Sequence, residues 1–375
     1  MTLLTDLGRN NLWNQPVYAE FRKEIDPFRD LQYFRNYLAY DGQNAFWTKP
    51  CPEPNLEEEF WHLVLSKLAD EKLQLAATRL ASAIISTAPD PSKLLFVAIL
   101  RGGVPIADWL CRLLPGSVAV ALSLFVGIGI DGVALQKARS DYPDREIIFV
   151  DGWTGKGGVA RELSKLEIGP LAVLIDPWGW ADFAGAVDDL FCPTACFTGV
   201  ATLGFSSGFY VDDRSLFSSY LFPEAYCRPE LVTTWQNACP QFLAPTLKGG
   251  ATGTKPACAG SDLLSKPLPV KVSPTLKGGA TGTKPACAGS DLLSKPLADK
   301  QPFWLETDLR IHSNEVCRGL LNANPDTLYF ADDRTYVREH YSLILALAER
   351  RRVNIVYNAK HLADYQTRVA CSFQK

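Results

Sequence analysis

Two stretches of this sequence set glycines and basic residues behind apolar runs, a combination that can hold an anion. The first is Leu100-Arg101-Gly102-Gly103-Val104-Pro105. The second is Asp151-Gly152-Trp153-Thr154-Gly155-Lys156-Gly157-Gly158. Glycine lets backbone N–H groups approach a phosphate with no side chain in the way. A helix that starts just after such a loop adds its positive end. In the first loop Arg101 would bring a fixed positive charge beside Gly102 and Gly103. In the second, Thr154, Gly155, Lys156, Gly157 and Gly158 would cradle a phosphate monoester. Read alone, each loop is also an ordinary tight turn, with Lys156 solvated and Asp151 a helix cap. Two such loops on neighbouring strands are more specific than one. The second is not a Walker A motif, because its spacing differs and Gly157 stands where Ser or Thr belongs. Gly127-Ile128-Gly129 runs into Ile130 and Asp131 and fails as a dinucleotide fingerprint.

The elements that must position these loops follow from apolar patterning. Leu94–Leu100 is a continuous apolar run, as expected of a strand buried on both faces of a parallel sheet. Further runs occupy 117–126, 147–150, 171–175 and 195–202. Helices are expected at 105–114 and from Val159 onward, and a Gly-rich charged loop over 127–145. Strand, turn and helix in alternation predict an open parallel α/β sheet. Before it, the periodicity predicts one helix from Asn55, as its cap, to about Ile85. Residues 1–55 read as a short helical extension, and 56–243 as the main domain.

Beyond Phe242 the composition shifts. Residues 245–268 and 274–297 are the same string, PTLKGGATGTKPACAGSDLLSKPL, in tandem. Rich in Gly, Pro, Ser, Thr and Lys, residues 244–300 read as a disordered linker. Residues 301–375 regain globular character. A helix near 314–323, a strand at 327–330, a helix at 337–350 and a strand at 353–357 form a small α/β unit.

Across the 375 residues, 47% are hydrophobic and 21% charged, and the net charge is −3, so nothing draws the whole chain to nucleic acid or anionic membrane. No stretch approaches the ~20 apolar residues a bilayer span needs. The start MTLLTDLGRNNLW lacks a basic segment followed by an apolar run, so a cytoplasmic location is expected, with the ten cysteines as free thiols. No metal site is expected: Cys192 and Cys196 come nearest to ligand spacing, and no second pair supports them.

The two loops together resemble those of type I phosphoribosyltransferases. Arg101–Gly103 matches that family's pyrophosphate loop, and 147–159 matches in outline its acidic strand end and Thr-Gly-Gly-Thr phosphate loop. The resemblance implies an open parallel-sheet fold and phosphoribosyl pyrophosphate or a nucleotide as ligand, with Mg²⁺ carried by the pyrophosphate. Asp151 would hold the ribose hydroxyls, and Thr154 to Gly158 the 5′-phosphate. Displacement would occur at the anomeric carbon. Lys137 and Arg139, in the loop expected at 127–145, would supply positive charge on closure; read from the residues alone, both are equally part of a solvated surface loop. Gly152 replaces the second acid, Lys156 a Thr or Ser, and Val159 the last Thr. The lost carboxylate is the feature that favours a binding-only module without catalysis. The string FVDGWTGKGG looks like the StiP-type branch associated with bacterial stress and tellurium resistance, over about 56–239. That branch carries the name cysteine protease. A protease needs a Cys with a His base. The four histidines, His62, His312, His340 and His361, stand in no pattern that pairs one with a cysteine.

In the last segment, His312-Ser313-Asn314-Glu315-Val316-Cys317-Arg318 resembles the Gly-x-Asn-Glu-x-x-Lys motif of the Pelota and kink-turn-binding family, with Ser313 standing for a Gly. That resemblance implies RNA contacts by Asn314, Glu315 and Arg318. The same residues are also an ordinary helix start, and Arg350, Arg351 and Arg352 an ordinary helix end.

Overall fold

The computed structural model describes residues 13, 15–37, 51–209, 217–241, 309–323 and 325–373. It divides into two units, Met1–Lys271 and Val272–Lys375. The linker expected at 244–300, with its tandem duplication, lies outside the described residues.

In chain order the first unit holds strands β1 (Val17–Tyr18) and β2 (Glu20–Arg22) and helices α1 (Leu31–Tyr37), α2 (Glu58–Ser66) and α3 (Glu71–Thr87). Next come β3 (Leu94–Ile99), α4 (Gly103–Leu113), β4 (Val118–Leu122), β5 (Leu124–Phe125), β6 (Gly129–Ile130) and α5 (Gly132–Asp141). Then follow β7 (Glu146–Trp153), α6 (Gly158–Leu166), β8 (Leu171–Ile175), β9 (Phe183–Ala186), β10 (Ser218–Tyr220) and α7 (Pro229–Asn237). The main sheet has the order β1-β4-β3-β7-β8-β9, and every pair in it is parallel.

The sequence dictates this sheet through burial on both faces. Every residue of β3 and β8 is buried. Along β3, Leu94, Phe96 and Ala98 enter one core, and Leu95, Val97 and Ile99 the other, the two-residue alternation of a strand. The chain leaves β3 to build β4 on one side and then returns to build β7 on the other. Between β3 and β7 the winding reverses, and ligands of open α/β sheets bind at such a point.

Four expectations need correction. The extension expected over 1–55 is not wholly helical in its described residues: besides α1 at Leu31–Tyr37, Val17 and Tyr18 pair with Ala121 and Leu122, so β1 is the edge strand of the main sheet. The helix expected from Asn55 to Ile85 is two helices, because Asp70 accepts from the Lys72 N–H and starts α3 afresh, and Asn55 caps neither. The loop expected over 127–145 contains α5, started by Asp131, whose Oδ1 accepts from the Ala134 N–H at 3.0 Å. The apolar run 195–202 is not a strand but two buried helical turns, a 3₁₀ turn at Pro193–Cys196 and a wider π turn at Gly199–Leu203. The sheet is completed instead by β9, packed so tightly on α3 that a Cβ at Gly185 would lie 2.3 Å from the Ala76 carbonyl oxygen.

The second unit contains β11 (Arg310–Ile311), α8 (Ser313–Asn322), β12 (Thr327–Phe330), α9 (Arg334–His340), α10 (Ser342–Arg351), β13 (Asn354–Val356) and β14 (Val369–Ser372). Its sheet order is β11-β14-β12-β13, with β12 and β13 parallel and β14 antiparallel to its neighbours. The helix expected at 337–350 breaks at Tyr341 into α9 and α10. The chain is a mixed α/β protein, as its patterning predicts. Among the described residues no helix is long and apolar enough to cross a membrane.

Candidate functional site

The two glycine-rich loops leave the C-terminal ends of β3 and β7, and the glycines are what let them meet. A Cβ at Gly103 would sit 2.1 Å from the Val150 carbonyl oxygen, so α4 can start there only without a side chain. A Cβ at Gly102 would sit 2.7 Å from Asp151 Oδ1. Asp151 itself lies within β7, not in the loop, and its Oδ1 accepts from the Gly152 N–H at 2.7 Å. The Asp151 carboxylate therefore stands over Gly102 at the mouth of the crevice.

The second loop turns at 154–157. Thr154 is buried; its hydroxyl donates to Asp176, and its N–H donates to the Ile175 carbonyl at 3.0 Å. Asp176, fully buried at the end of β8, also accepts from the Ala181 N–H at 2.7 Å. Gly155 and Lys156 are partly exposed. Gly157 has the left-handed φ of 74°, and a Cβ there would come within 2.3 Å of the Trp180 ring. Gly158 begins α6 with no side chain capping it, and a Cβ there would meet Val126 at 2.8 Å. Arg161 clasps the turn from behind: its Nη1 donates to the Lys156 carbonyl at 2.6 Å, and its guanidinium lies 5.4 Å from the Trp180 ring centre. The start of α4 at Gly103 also has no side-chain cap.

Two expected residues are placed otherwise. Arg101 follows a cis Leu100–Arg101 peptide, and its Nη1 lies 2.5 Å from Glu53 Oε1 in a buried ion pair. Its charge is thus matched inside the protein rather than offered to a ligand. Lys137 is on α5, not in a loop. Its Nζ lies 2.6 Å from Asp141 Oδ1 and 5.8 Å from the ring centre of Tyr18 in β1, with β4 and β3 between that edge strand and β7. The hydrogen bond from Lys137, then that from Tyr18, hold the Asp141 carboxyl below the usual carboxylate range, and burial raises the Tyr18 hydroxyl above its ordinary value. The structure does not bring Lys137 to the crevice.

Glu53, Arg161, Asp176 and Trp180 were missed from sequence. Asp176 had a signal, as the first polar residue after the run 171–175 at the binding end of a parallel strand. Glu53 had none, since it reaches Arg101 across 48 residues.

Asp151 brings one carboxylate to the crevice. Among the described residues no group of three His, Cys, Asp or Glu side chains could hold a metal ion.

Burial raises most of the described thiols of the first unit. Burial pushes the Cys111, Cys192 and Cys227 thiols up to about 11 and Cys239 to about 12. Cys196 is also buried. The one histidine before residue 312, His62, is exposed on α2, 3.7 Å from Glu58 Oε1.

In the second unit Asn314 is 1% exposed, so its carboxamide is not presented at the surface. Glu315 and Arg318 are partly exposed, and Glu315 Oε2 lies 3.8 Å from Arg310 Nη1. His312, two residues before Asn314, has a positive φ of 68°. Arg351 donates to the Leu321 carbonyl at 2.6 Å and so closes the end of α8.

Residues 38–214 match the family described as tellurite-like stress resistance cysteine protease StiP. The cysteine protease StiP of Acinetobacter baylyi is 32% identical over 142 residues, which are 34% of this chain and 35% of that protein. The chain thus spans about a third of that relative's length. Both glycine-rich loops lie within residues 38–214, the span that matches that family.

Proposed function

We propose that the crevice between β3 and β7 binds a phosphorylated ribose, free or as part of a nucleotide. One observation carries this reading. Helices α4 and α6, neither capped by a side chain, start from adjacent parallel strands at the reversal of winding. Both N-termini favour negative charge there. In this reading the backbone N–H groups of 155–158 and Lys156 hold the phosphate, and Asp151 accepts from ribose hydroxyls. Arg161 and Trp180 fix the turn. Thr154, tied to Asp176, anchors it from below.

The transferase form of this reading adds a displacement at the anomeric carbon. The bond to a departing pyrophosphate breaks as a bond to a nitrogen base forms. Mg²⁺ brought by the pyrophosphate would neutralise the leaving charge. Pyrophosphate release on a screen of bases tests it. Thermal stabilisation by phosphorylated ribose tests the binding form.

A second reading, cysteine proteolysis, is favoured by the names of the matching family and of the Acinetobacter baylyi relative. Of the cysteines in residues 38–214, Cys192 and Cys196 are buried and burial raises the Cys111 thiol. That leaves Cys51, half-buried and two residues before Glu53. Proteolysis abolished by Cys51→Ser and untouched by Asp151→Ala would establish this reading over the first. RNA binding by the second unit stays a proposal through Arg318 and Glu315, tested by RNA affinity of Arg318→Ala.

A further inference from the structure

The two loops differ in the charge they offer. At the first, Arg101 is locked. Its Nη1 meets Glu53 Oε1 at 2.5 Å, and Glu53 Oε2 accepts from the Gly199 N–H at 3.2 Å. A Cβ at Gly199 would lie 2.1 Å from Arg101 Nη1, so the guanidinium fills a slot with no spare room. The side chains of Arg101 and Glu53 are 11% and 3% exposed. Swinging Arg101 out to a ligand would strand a buried carboxylate, which the protein interior does not tolerate. The Asp151 carboxylate adds a negative charge beside Gly102. The first loop's own cation is therefore held by Glu53, and the loop presents its backbone donors without it. The second has Lys156 and Arg161 close to its turn.

We infer that the crevice takes a ligand with a single phosphate, ribose 5-phosphate or a nucleoside 5′-monophosphate, and discriminates against a pyrophosphate on the anomeric carbon. This rests on the reading of the crevice as a phosphorylated-ribose site and narrows its ligand class. The phosphomonoester sits on the turn at 154–158. The sugar hydroxyls face Asp151, where a carboxylate accepts their hydrogen bonds and repels a second phosphate. Glu53 acts as a specificity-determining residue through Arg101, by holding that cation out of reach.

Titration calorimetry on the full chain tests this with ribose 5-phosphate, phosphoribosyl pyrophosphate and inorganic pyrophosphate, each with and without Mg²⁺. The expected result is that ribose 5-phosphate binds at least about tenfold more tightly than phosphoribosyl pyrophosphate in both conditions. Lys156→Ala, at a partly exposed position, should weaken ribose 5-phosphate by about tenfold or more. Phosphoribosyl pyrophosphate binding as tightly or more tightly would overturn the inference and leave the phosphorylated-ribose reading intact. No binding of either sugar phosphate at millimolar concentration would overturn both. Ribose 5-phosphate binding that Lys156→Ala leaves unchanged would overturn the placement at 154–158.

Discussion

Arg101 and Glu53, 48 residues apart in the chain, meet at 2.5 Å in a buried ion pair that joins the first glycine-rich loop to the N-terminal part of the fold. Removing one partner leaves the other charge buried and unmatched. Glu53→Ala should therefore lower stability by about 3–5 kcal/mol in urea unfolding. The double variant Glu53→Ala/Arg101→Ala should recover part of that loss. A single variant within experimental error of wild type would contradict the pairing.

Gly157 tests the shape of the second loop. Its φ of 74° and the Trp180 ring 2.3 Å from a Cβ leave no place for a side chain. Gly157→Ala should cost about 1–3 kcal/mol and weaken sugar-phosphate binding with it. Trp180→Ala combined with Gly157→Ala removes the clash, so the double variant should lose less than the sum of the two single losses. Fully additive losses would argue against the contact.

Thiol chemistry separates the two functional readings. Burial pushes Cys111 and Cys192 up to about 11, so in the folded chain these thiols stay protonated at neutral pH. Because the folded values lie above the unfolded one, the stability they contribute is complete below about pH 8.5 and is lost as pH rises toward 11. Alkylation of Cys111 and Cys192 by iodoacetamide at pH 8 should be much slower in the native chain than in urea. Native alkylation at the unfolded rate would mark one of them as a reactive cysteine and strengthen the protease reading.

In the second unit, Asn314 and Arg318 should behave differently. Asn314 is buried, so Asn314→Ala should cost about 1–3 kcal/mol by leaving polar groups unmatched. Arg318→Ala, at a partly exposed position, should leave stability within about 0.5 kcal/mol and lower any RNA affinity. A filter-binding assay beside thermal melts distinguishes them. RNA affinity equal to wild type in Arg318→Ala would count against that surface.

The parallel sheet was legible because strands buried on both faces, Leu94–Ile99 and Leu171–Ile175, appear as unbroken apolar runs. The loops were legible because their glycines come just after the apolar runs 94–100 and 147–150. β9 was not, since Phe-Ala-Gly-Ala carries no strand pattern and its place depends on packing against α3. α5 lay hidden in a charged stretch with three glycines nearby, although Asp131 was a readable cap. The fate of Arg101 was invisible, because its partner Glu53 sits in a proline-rich segment with no local signal. Asn314 shows the same limit: a motif match names a residue, and only packing decides whether its side chain reaches the surface.

The central claim is that the crevice at Asp151 and Lys156 binds phosphorylated ribose. Its most direct test is thermal stabilisation by ribose 5-phosphate of wild type, Asp151→Ala and Lys156→Ala. A ligand at a hundred times its Kd adds about 2.7 kcal/mol to the native state, a readable rise in Tm. The account predicts such a rise in wild type and its loss in both variants. A folded wild type that millimolar ribose 5-phosphate leaves unshifted, or a shift that both variants retain, would contradict it.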